Sequence, residues 1–192
     1  MKKIGSVLKD DDGGYDVIYG TKKDNIFYGD FWGDPELGYP DAYNGRGGDD
    51  FIRGFKAADR LWGGQGNDHI YGGVGSDRIY GGPGKDTLSG EEQTDIISGG
   101  SGADTFLFTA HPDGFGSSHL DIITDFDPGE RGEKVQLVMS IQYGLMTFAD
   151  LKSTMFEDGG DVVIDFYGLN ILVLENLRID ELSANDFQIR LF

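Results

Sequence analysis

Residues 63–89 read GGQGNDHIY GGVGSDRIY GGPGKDTLS, which are three consecutive nine-residue units with one pattern. The pattern is Gly-Gly-x-Gly-x-Asp-x-aliphatic-x, and a short fixed period predicts a coiled repeat architecture. Glycine is favoured where the backbone takes a positive φ or comes close to another group, so the first six residues predict a turn. The last three predict a short strand, whose eighth position faces away from the seventh and ninth. The eighth positions are therefore predicted to form the core.

The same register covers most of the first 107 residues. Eight uninterrupted units run from residue 36, and two weaker units begin at residues 11 and 20. The segment GDFWGDP at 29–35 is seven residues long and interrupts the register. The sixth and eighth positions are Asp16/Ile18, Asn25/Phe27, Asp41/Tyr43, Asp50/Ile52, Asp59/Leu61, Asp68/Ile70, Asp77/Ile79, Asp86/Leu88, Asp95/Ile97 and Asp104/Phe106.

Composition points to a metal as the partner of these turns. The 192 residues carry a net charge of −18, which argues against binding to nucleic acid. Each turn offers bare carbonyl oxygens and one carboxylate, and these are the hard ligands that calcium prefers. The chain contains no Cys, so it has neither disulfides nor thiol chemistry. It also lacks the run of about 18 apolar residues that a membrane-spanning helix needs.

Residues 108–192 lose the repeat and are predicted to cap the array, because a repeat array needs an atypical unit over its last coil. We predict strands at 120–126, 135–138, 161–166 and 170–174, the last two forming a hairpin across 167–169. A helix is predicted at 147–154, with Thr147 as its N-cap and Asp150 three residues later. Residues 180–186 predict a short helical turn. The chain thus divides into a repeat region, 1–107, and a cap, 108–192.

The repeats resemble the RTX (repeats-in-toxin) calcium-binding proteins of bacteria. From Gly99 the segments GGSGADTFLF, LDIITDFDPGE, TFADLKS, DVVIDF and LSANDF resemble the C-terminal domain of serralysin-type proteases and the related modules of alginate epimerases. This resemblance implies an all-β fold, a right-handed parallel β-roll of nonapeptide calcium-binding repeats with a mostly β C-terminal cap. It also implies folding driven by several calcium ions, and export by type I secretion machinery that reads a signal in 108–192. The chain would then be a secreted, extracellular bacterial protein.

Two units make one coil in a β-roll, so the resemblance separates the turns into two edges. The turns starting at 45, 63, 81 and 99 form the first edge, and those starting at 36, 54, 72 and 90 form the second edge. In the family the carbonyls at positions two and four join the Asp at position six. Carried over, the ligands are Arg46, Gly48, Asp50, Gly64, Gly66, Asp68, Gly82, Gly84, Asp86, Gly100, Gly102 and Asp104 on the first edge, and Gly73, Gly75, Asp77, Asp59 and Asp95 on the second.

The second edge keeps its glycines only in GGVGSD, and a turn that lacks Gly at a positive φ is strained or reshaped. We therefore predict three well-formed calcium sites on the first edge and weaker or missing sites on the second. The resemblance places Asp121 as a possible last ligand. For Asp16, Asn25 and Asp41 the alternative is a local hydrogen bond that caps the turn.

No catalytic constellation is present, so the chain is predicted not to be an enzyme by itself. There is no His-Glu-x-x-His motif, and His111 and His119 lack a common zinc spacing. His69 occupies an outward position. The predicted function is a calcium-binding module that folds on extracellular calcium and supports type I secretion and stability of an exported protein.

An alternative function concerns the outward face of two neighbouring strands. Arg60 and Arg78 occupy seventh positions there, and Trp62 and Tyr80 occupy the ninth. Aromatic faces stack on sugar rings and Arg pairs with carboxylates, so an anionic polysaccharide such as alginate is a candidate ligand. Ordinary aromatic side chains on a strand face, or a self-association surface, remain alternatives.

Overall fold

The structure is a computed structural model and describes residues 7–8, 17–29, 40–110, 119–129, 132–139, 147–166, 168 and 170–191. Residue 16, nearly all of the predicted interruption at 29–35, and the segment 111–118 with His111 lie outside the described residues. The strands are β1 (Val7–Leu8), β2 (Val17–Tyr19), β3 (Ile26–Tyr28), β4 (Ala42–Asn44), β5 (Phe51–Lys56), β6 (Arg60–Trp62), β7 (His69–Val74), β8 (Arg78–Pro83), β9 (Thr87–Glu92), β10 (Thr94–Ser101), β11 (Thr105–Ala110), β12 (His119–Ile123), β13 (Lys134–Met139), β14 (Met155–Asp158), β15 (Asp161–Phe166), β16 (Asn170–Leu174) and β17 (Phe187–Leu191).

From β2 to β13 successive strands alternate between two sheets. One sheet has the order β1-β2-β4-β6-β8-β10-β12-β16-β15-β14, and the other has the order β17-β13-β11-β9-β7-β5-β3. Through the repeats each strand pairs in parallel with the strand two units away, as in the pairs Ile52↔Ile70 and Leu61↔Ile79. The chain therefore coils once in every two units, and the predicted parallel β-roll is confirmed.

The core is a single column of eighth-position side chains. Every one of them from Ile18 to Phe106 is buried, and Ile52, Leu61, Ile70, Ile79 and Leu88 have no exposed surface. At the N-terminal end of the column the rings of Phe27 and Tyr43 stack, with centroids 4.3 Å apart. One apolar residue per strand thus fills the space between the sheets, as the period predicts.

The C-terminal region continues both sheets. Strand β12 pairs in parallel with β10, β13 with β11, and β17 with β13, so the cap extends the roll strand by strand. The boundary predicted at residue 107 falls inside β11, and the division into two domains stays a prediction. Strands β14, β15 and β16 pair antiparallel, which confirms the predicted β15–β16 hairpin. No helix among the described residues is long and apolar enough to cross a membrane.

Helical structure is confined to short segments in the described part of the cap. Helix α1 (Phe148–Lys152) is shorter than the predicted 147–154, but Thr147 and Asp150 form the expected reciprocal cap. The Thr147 backbone N–H donates to Asp150 at 2.7 Å, and the Asp150 N–H donates to the Thr147 hydroxyl at 3.2 Å. The turn predicted at 180–186 consists of two 3₁₀ segments, Ile179–Glu181 and Ala184–Asp186.

Candidate metal centre

The sixth-position aspartates form a column along each edge of the roll. On the first edge the backbone N–H of Asp50 donates to Oδ1 of Asp68 at 2.7 Å, and the N–H of Asp68 donates to Oδ1 of Asp86 at 2.8 Å. On the second edge the N–H of Asp77 donates to Oδ1 of Asp95 at 2.7 Å. One oxygen of each carboxylate therefore caps the turn one coil earlier, and the columns stay in register with the strands.

The second oxygen of these carboxylates points beneath its own turn. Oδ2 of Asp50, Asp68, Asp77, Asp86 and Asp95 is buried and accepts no hydrogen bond. A Cβ on Gly63 would lie 2.2 Å from Oδ2 of Asp68, so the first glycine of the unit is required by the carboxylate that occupies this space. A buried carboxylate oxygen without a donor is unfavourable unless a cation satisfies it.

Glycine is favoured at the second and fourth positions of the first-edge turns for two different reasons. Gly64 and Gly66 have φ values of 110° and 130°, which favour glycine. Gly84 is required by proximity, because its Cβ would lie 1.7 Å from the carbonyl oxygen of Gly66. The fourth-position carbonyl of one turn thus points at the next turn of the same edge.

Hydrogen bonds between stacked turns use the carbonyls at positions one and three. The N–H of Gly64 donates to the carbonyl of Gly81 at 2.9 Å, and the N–H of Gly66 donates to that of Pro83 at 3.0 Å. The resemblance assigns calcium to positions two and four, so the two roles fall on different carbonyls. Arg46 is an exception to this division of roles, because its second-position carbonyl accepts a hydrogen bond from the N–H of Gln65 at 3.1 Å.

On the second edge, the turns that start at 54 and 90 keep the left-handed φ values without glycine at their second and fourth positions. Phe55 and Glu91 at second positions have φ values of 80° and 75°, and Ala57 and Gln93 at fourth positions have 79° and 80°. These turns are therefore strained rather than reshaped, at about 1–2 kcal/mol for each left-handed residue. The Glu91 carboxylate also pairs with the Arg53 guanidinium at 3.1 Å.

Burial shifts the acid–base equilibria of both columns. It raises the pKa of Asp68 and Asp77 to about 6 and that of Asp50 and Asp86 to about 7, and negative neighbours add to the effect. Burial also raises the pKa of Asp95, which lies against Asp121. The calcium-free columns consequently hold protons near neutral pH, and a cation and a proton would compete for the same oxygens.

Two acids beyond the repeats extend the columns. Asp121 pairs in register with Asp95, is buried, and has one oxygen that accepts no hydrogen bond, so it continues the second edge. Glu133 precedes β13 and continues the first edge, because Val135 pairs with Phe106 and so places Glu133 in step with Asp104. Burial raises the pKa of Glu133 to about 8, and Asp104 adds to the shift. Sequence reasoning missed Glu133, although EKVQL (133–137) repeats the alternation of DTFLF (104–108).

Side chains alone do not form a metal site in the described part of the chain. No group there of three or more His, Asp or Glu side chains could hold a metal ion. This fits turns in which each site draws one carboxylate from the column and its other ligands from the backbone. Asn25 differs, since its side-chain oxygen accepts from the Thr21 N–H at 3.1 Å and caps its own turn.

The outward residues of the alternative function lie together on β6 and β8. Arg60 pairs in register with Arg78, and Trp62 with Tyr80. The rings of Trp62 and Tyr80 are stacked, with centroids 5.8 Å apart and planes 8° from parallel. His69 is exposed on β7, in the other sheet.

Comparisons with known proteins agree with this geometry. The model of the RTX calcium-binding nonapeptide repeat matches residues 38–70 and 71–106. The AlgE6R3 subunit of the Azotobacter vinelandii mannuronan C5-epimerase is 30% identical, with a TM-score of 0.52 over 70% of this chain and 79% of that subunit. The AlgE6R2 subunit of the same epimerase is 26% identical, with a TM-score of 0.53 over 72% of this chain and 91% of that subunit. Comparison with curated protein sequences gives no match. The chain belongs to the RTX calcium-binding nonapeptide-repeat proteins, and its repeats bind several calcium ions.

Proposed function

We propose that the chain is an extracellular module that folds when calcium fills its turns, and that it supports type I secretion and stability of an exported protein. The observation that carries the proposal is the column of buried aspartates whose Oδ2 atoms accept no hydrogen bond. Calcium supplies the positive charge that these oxygens lack. Extracellular calcium modules typically bind with constants of about 10⁻⁴–10⁻³ M, so the sites would be empty in the cytosol and filled outside.

The proposed ligands on the first edge are the carbonyls at positions two and four and the Asp at position six. These carbonyls lie on turns that glycine allows to stack closely, as at Gly66 and Gly84. We propose three sites between the four turns of this edge, the weakest beside Arg46, whose carbonyl already accepts a hydrogen bond. Fewer or weaker sites are proposed on the second edge, where Gly73, Gly75 and Asp77 match the ligand pattern fully and Asp59, Asp95 and Asp121 match it by carboxylate.

A calcium titration that starts in chelator tests the proposal. Far-UV circular dichroism should show a cooperative gain of β structure between about 0.1 and 1 mM calcium, the range of extracellular modules. Isothermal titration calorimetry gives the number of ions, and three tight sites with fewer weak ones would support the asymmetry. Full β content in excess chelator would contradict calcium-driven folding, and equal affinities on both edges would contradict the asymmetry.

A second candidate function is binding of an anionic polysaccharide such as alginate. The observation that favours it is the parallel stack of Trp62 and Tyr80 beside Arg60 and Arg78, since flat rings suit sugar faces and guanidinium groups suit carboxylates. Two similar structures come from a mannuronan C5-epimerase. Retention of the calcium-loaded protein on immobilised alginate tests the proposal. The Arg60→Ala/Trp62→Ala variant should elute earlier than the unaltered protein, and equal retention would contradict it.

A further inference from the structure

The outer face of the ten-stranded sheet carries a continuous row of side chains across seven strands, from Arg60 on β6, which pairs with Arg78, to Phe156 on β14. Strand register aligns Arg78 with Ile96, Ile96 with Ile122, and Ile122 with Val173. The row continues through Val163 to Phe156, which is 49% exposed. Because side chains alternate across a strand, all of these residues lie on the face opposite the core. Ile96, Ile122 and Val173 are partly exposed and Val163 is 9% exposed. The roll therefore carries a partly exposed apolar strip beside the surface formed by Arg60, Trp62, Arg78 and Tyr80.

Charges of opposite sign flank this strip. At one end are Arg60 and Arg78, on β6 and β8. At the other end are four acids, three on the outward face of β14 and β15 and one directly after β16. Those acids are Asp158, Asp161, Asp165 and Glu175, and all are partly or fully exposed. A protein whose net charge is −18 thus keeps two arginines at one end of a sheet face and four acids at the other.

We propose that this face binds a second copy of the chain and forms a symmetric dimer. A two-fold axis that runs along the strands between β10 and β12 would place β8 over β16 and β6 over β15. Arg78 of one copy would then lie over Val173 and beside Glu175 of the other, and Ile96 would lie over Ile122. A two-fold interface uses the same patch on both subunits, so the patch must be self-complementary, and opposite charge at its two ends meets that condition.

The size of the face predicts a weak dimer. Seven strands about 4.8 Å apart span about 29 Å, and five residues at about 3.3 Å each span about 17 Å. The footprint is therefore about 500 Å² in each copy, or about 1,000 Å² in total, which lies at the lower end of specific interfaces. Association should consequently appear at micromolar to submillimolar protein.

Sedimentation equilibrium of the calcium-loaded protein over this concentration range tests the proposal. Three variants complete the experiment: Arg78→Glu, Glu175→Arg, and the two combined. Each single reversal should weaken association at least about tenfold, because it opposes like charges across the interface, and the combined swap should restore it. Lys22→Glu is the matched control, since Lys22 is exposed in the turn before β3 and carries the same change of charge. Calcium titrations by circular dichroism verify that every variant folds at the same calcium concentration.

Each outcome decides the proposal. Association that both reversals weaken and the swap restores supports it. A monomer throughout the range overturns it, as does a dimer that the reversals leave intact or that Lys22→Glu disrupts equally. These readouts are separate from calcium binding, so failure of the dimer would leave the proposed calcium function untouched. Retention on alginate by a strictly monomeric protein would assign the cationic end of the face to the glycan.

Discussion

Replacing Asp86 by Asn separates the two roles of a column carboxylate. Asp86 lies in the middle of the first edge and is 1% exposed. Its Oδ1 accepts from the Asp68 N–H at 2.8 Å, and an Asn side-chain oxygen can accept the same bond. The substitution therefore keeps the cap on the turn and removes the negative oxygen that would hold calcium.

The substitution should change the calcium-free stability and the stabilisation by calcium in opposite directions. At a calcium concentration ten times the dissociation constant, one site adds about 1.4 kcal/mol, and a tenfold weaker site adds about 0.4 kcal/mol. Calcium should therefore stabilise the variant about 1 kcal/mol less than it stabilises the unaltered protein. In chelator at pH 8 the buried carboxylate is ionised although its folded-state pKa is about 7, against an ordinary 3.8. Removing this charge should stabilise the calcium-free fold by up to roughly 4 kcal/mol.

Far-UV circular dichroism at pH 8, from chelator to saturating calcium, measures the β content both without and with calcium. The variant should start with β content equal to or above that of the unaltered protein and should gain less stability from calcium. Urea denaturation in chelator and in calcium gives the stabilisation by calcium as the difference between the two free energies of unfolding. A loss of equal size in chelator and in calcium would refute the reasoning, because it would make Asp86 only a turn cap.

Asp49→Asn is the matched control for this substitution. Asp49 is the neighbouring position of the same edge, is exposed, and its Oδ1 accepts from the Asn67 N–H at 2.7 Å. The change removes one charge and preserves the bond, but Asp49 is not a proposed ligand. Its effect on the stabilisation by calcium should be much smaller than that of Asp86→Asn.

Three further predictions concern strain, pH and the core. Phe55→Gly should stabilise the calcium-loaded protein by about 1 kcal/mol in urea denaturation because it relieves a left-handed φ, whereas Gly73→Ala should destabilise it by at least as much. The calcium-free fold should gain stability as pH falls from 7 to 5, since acids such as Asp50, with a folded-state pKa of about 7, bind more protons in the folded than in the unfolded state. Over the same range calcium should add less stability, because protons compete for its ligands, and urea denaturation at each pH in chelator and in calcium checks both. Ile79→Ala should cost about 2–5 kcal/mol of unfolding free energy, because Ile79 has no exposed surface in the column.

The part of the fold within the nine-residue period could be predicted from sequence. Position within the unit decides burial there, so Ile52, Leu61 and Leu88 were assignable to the core without a structure. The columns of aspartates follow from the same register. The role of the first glycine was less accessible, because the need for it comes from the Oδ2 atom of its own unit and not from a positive φ.

Beyond residue 107 the period ends, and sequence reasoning lost the register with it. Asp121 follows Asp95 by 26 residues and Glu133 follows Asp104 by 29, whereas the repeats use 18. The strands nevertheless pair as if the period continued, because the ladder fixes their alignment and the connections absorb the extra residues. The alternation in EKVQL is a weak sequence signal, and the pairing of Val135 with Phe106 establishes that Glu133 stands in the place of a column aspartate.

Two features of the edges, the hydrogen bonds between stacked turns and the buried carboxylates, explain why calcium should govern folding rather than merely adjust stability. Backbone bonds such as Gly66 N–H to Pro83 at 3.0 Å hold the turns together without any metal. The same stacking buries carboxylates such as Asp68 and Asp86 one above another, with no ion-pair partner among the described residues. Hydrogen bonds contribute about 1 kcal/mol each, while burial of an unpaired charge costs several, so we propose that the calcium-free balance favours the unfolded chain at neutral pH. In this proposal calcium reverses the balance at every coil, and because each column carboxylate bonds to the turn one coil earlier, filling one site orders the ligands of the next.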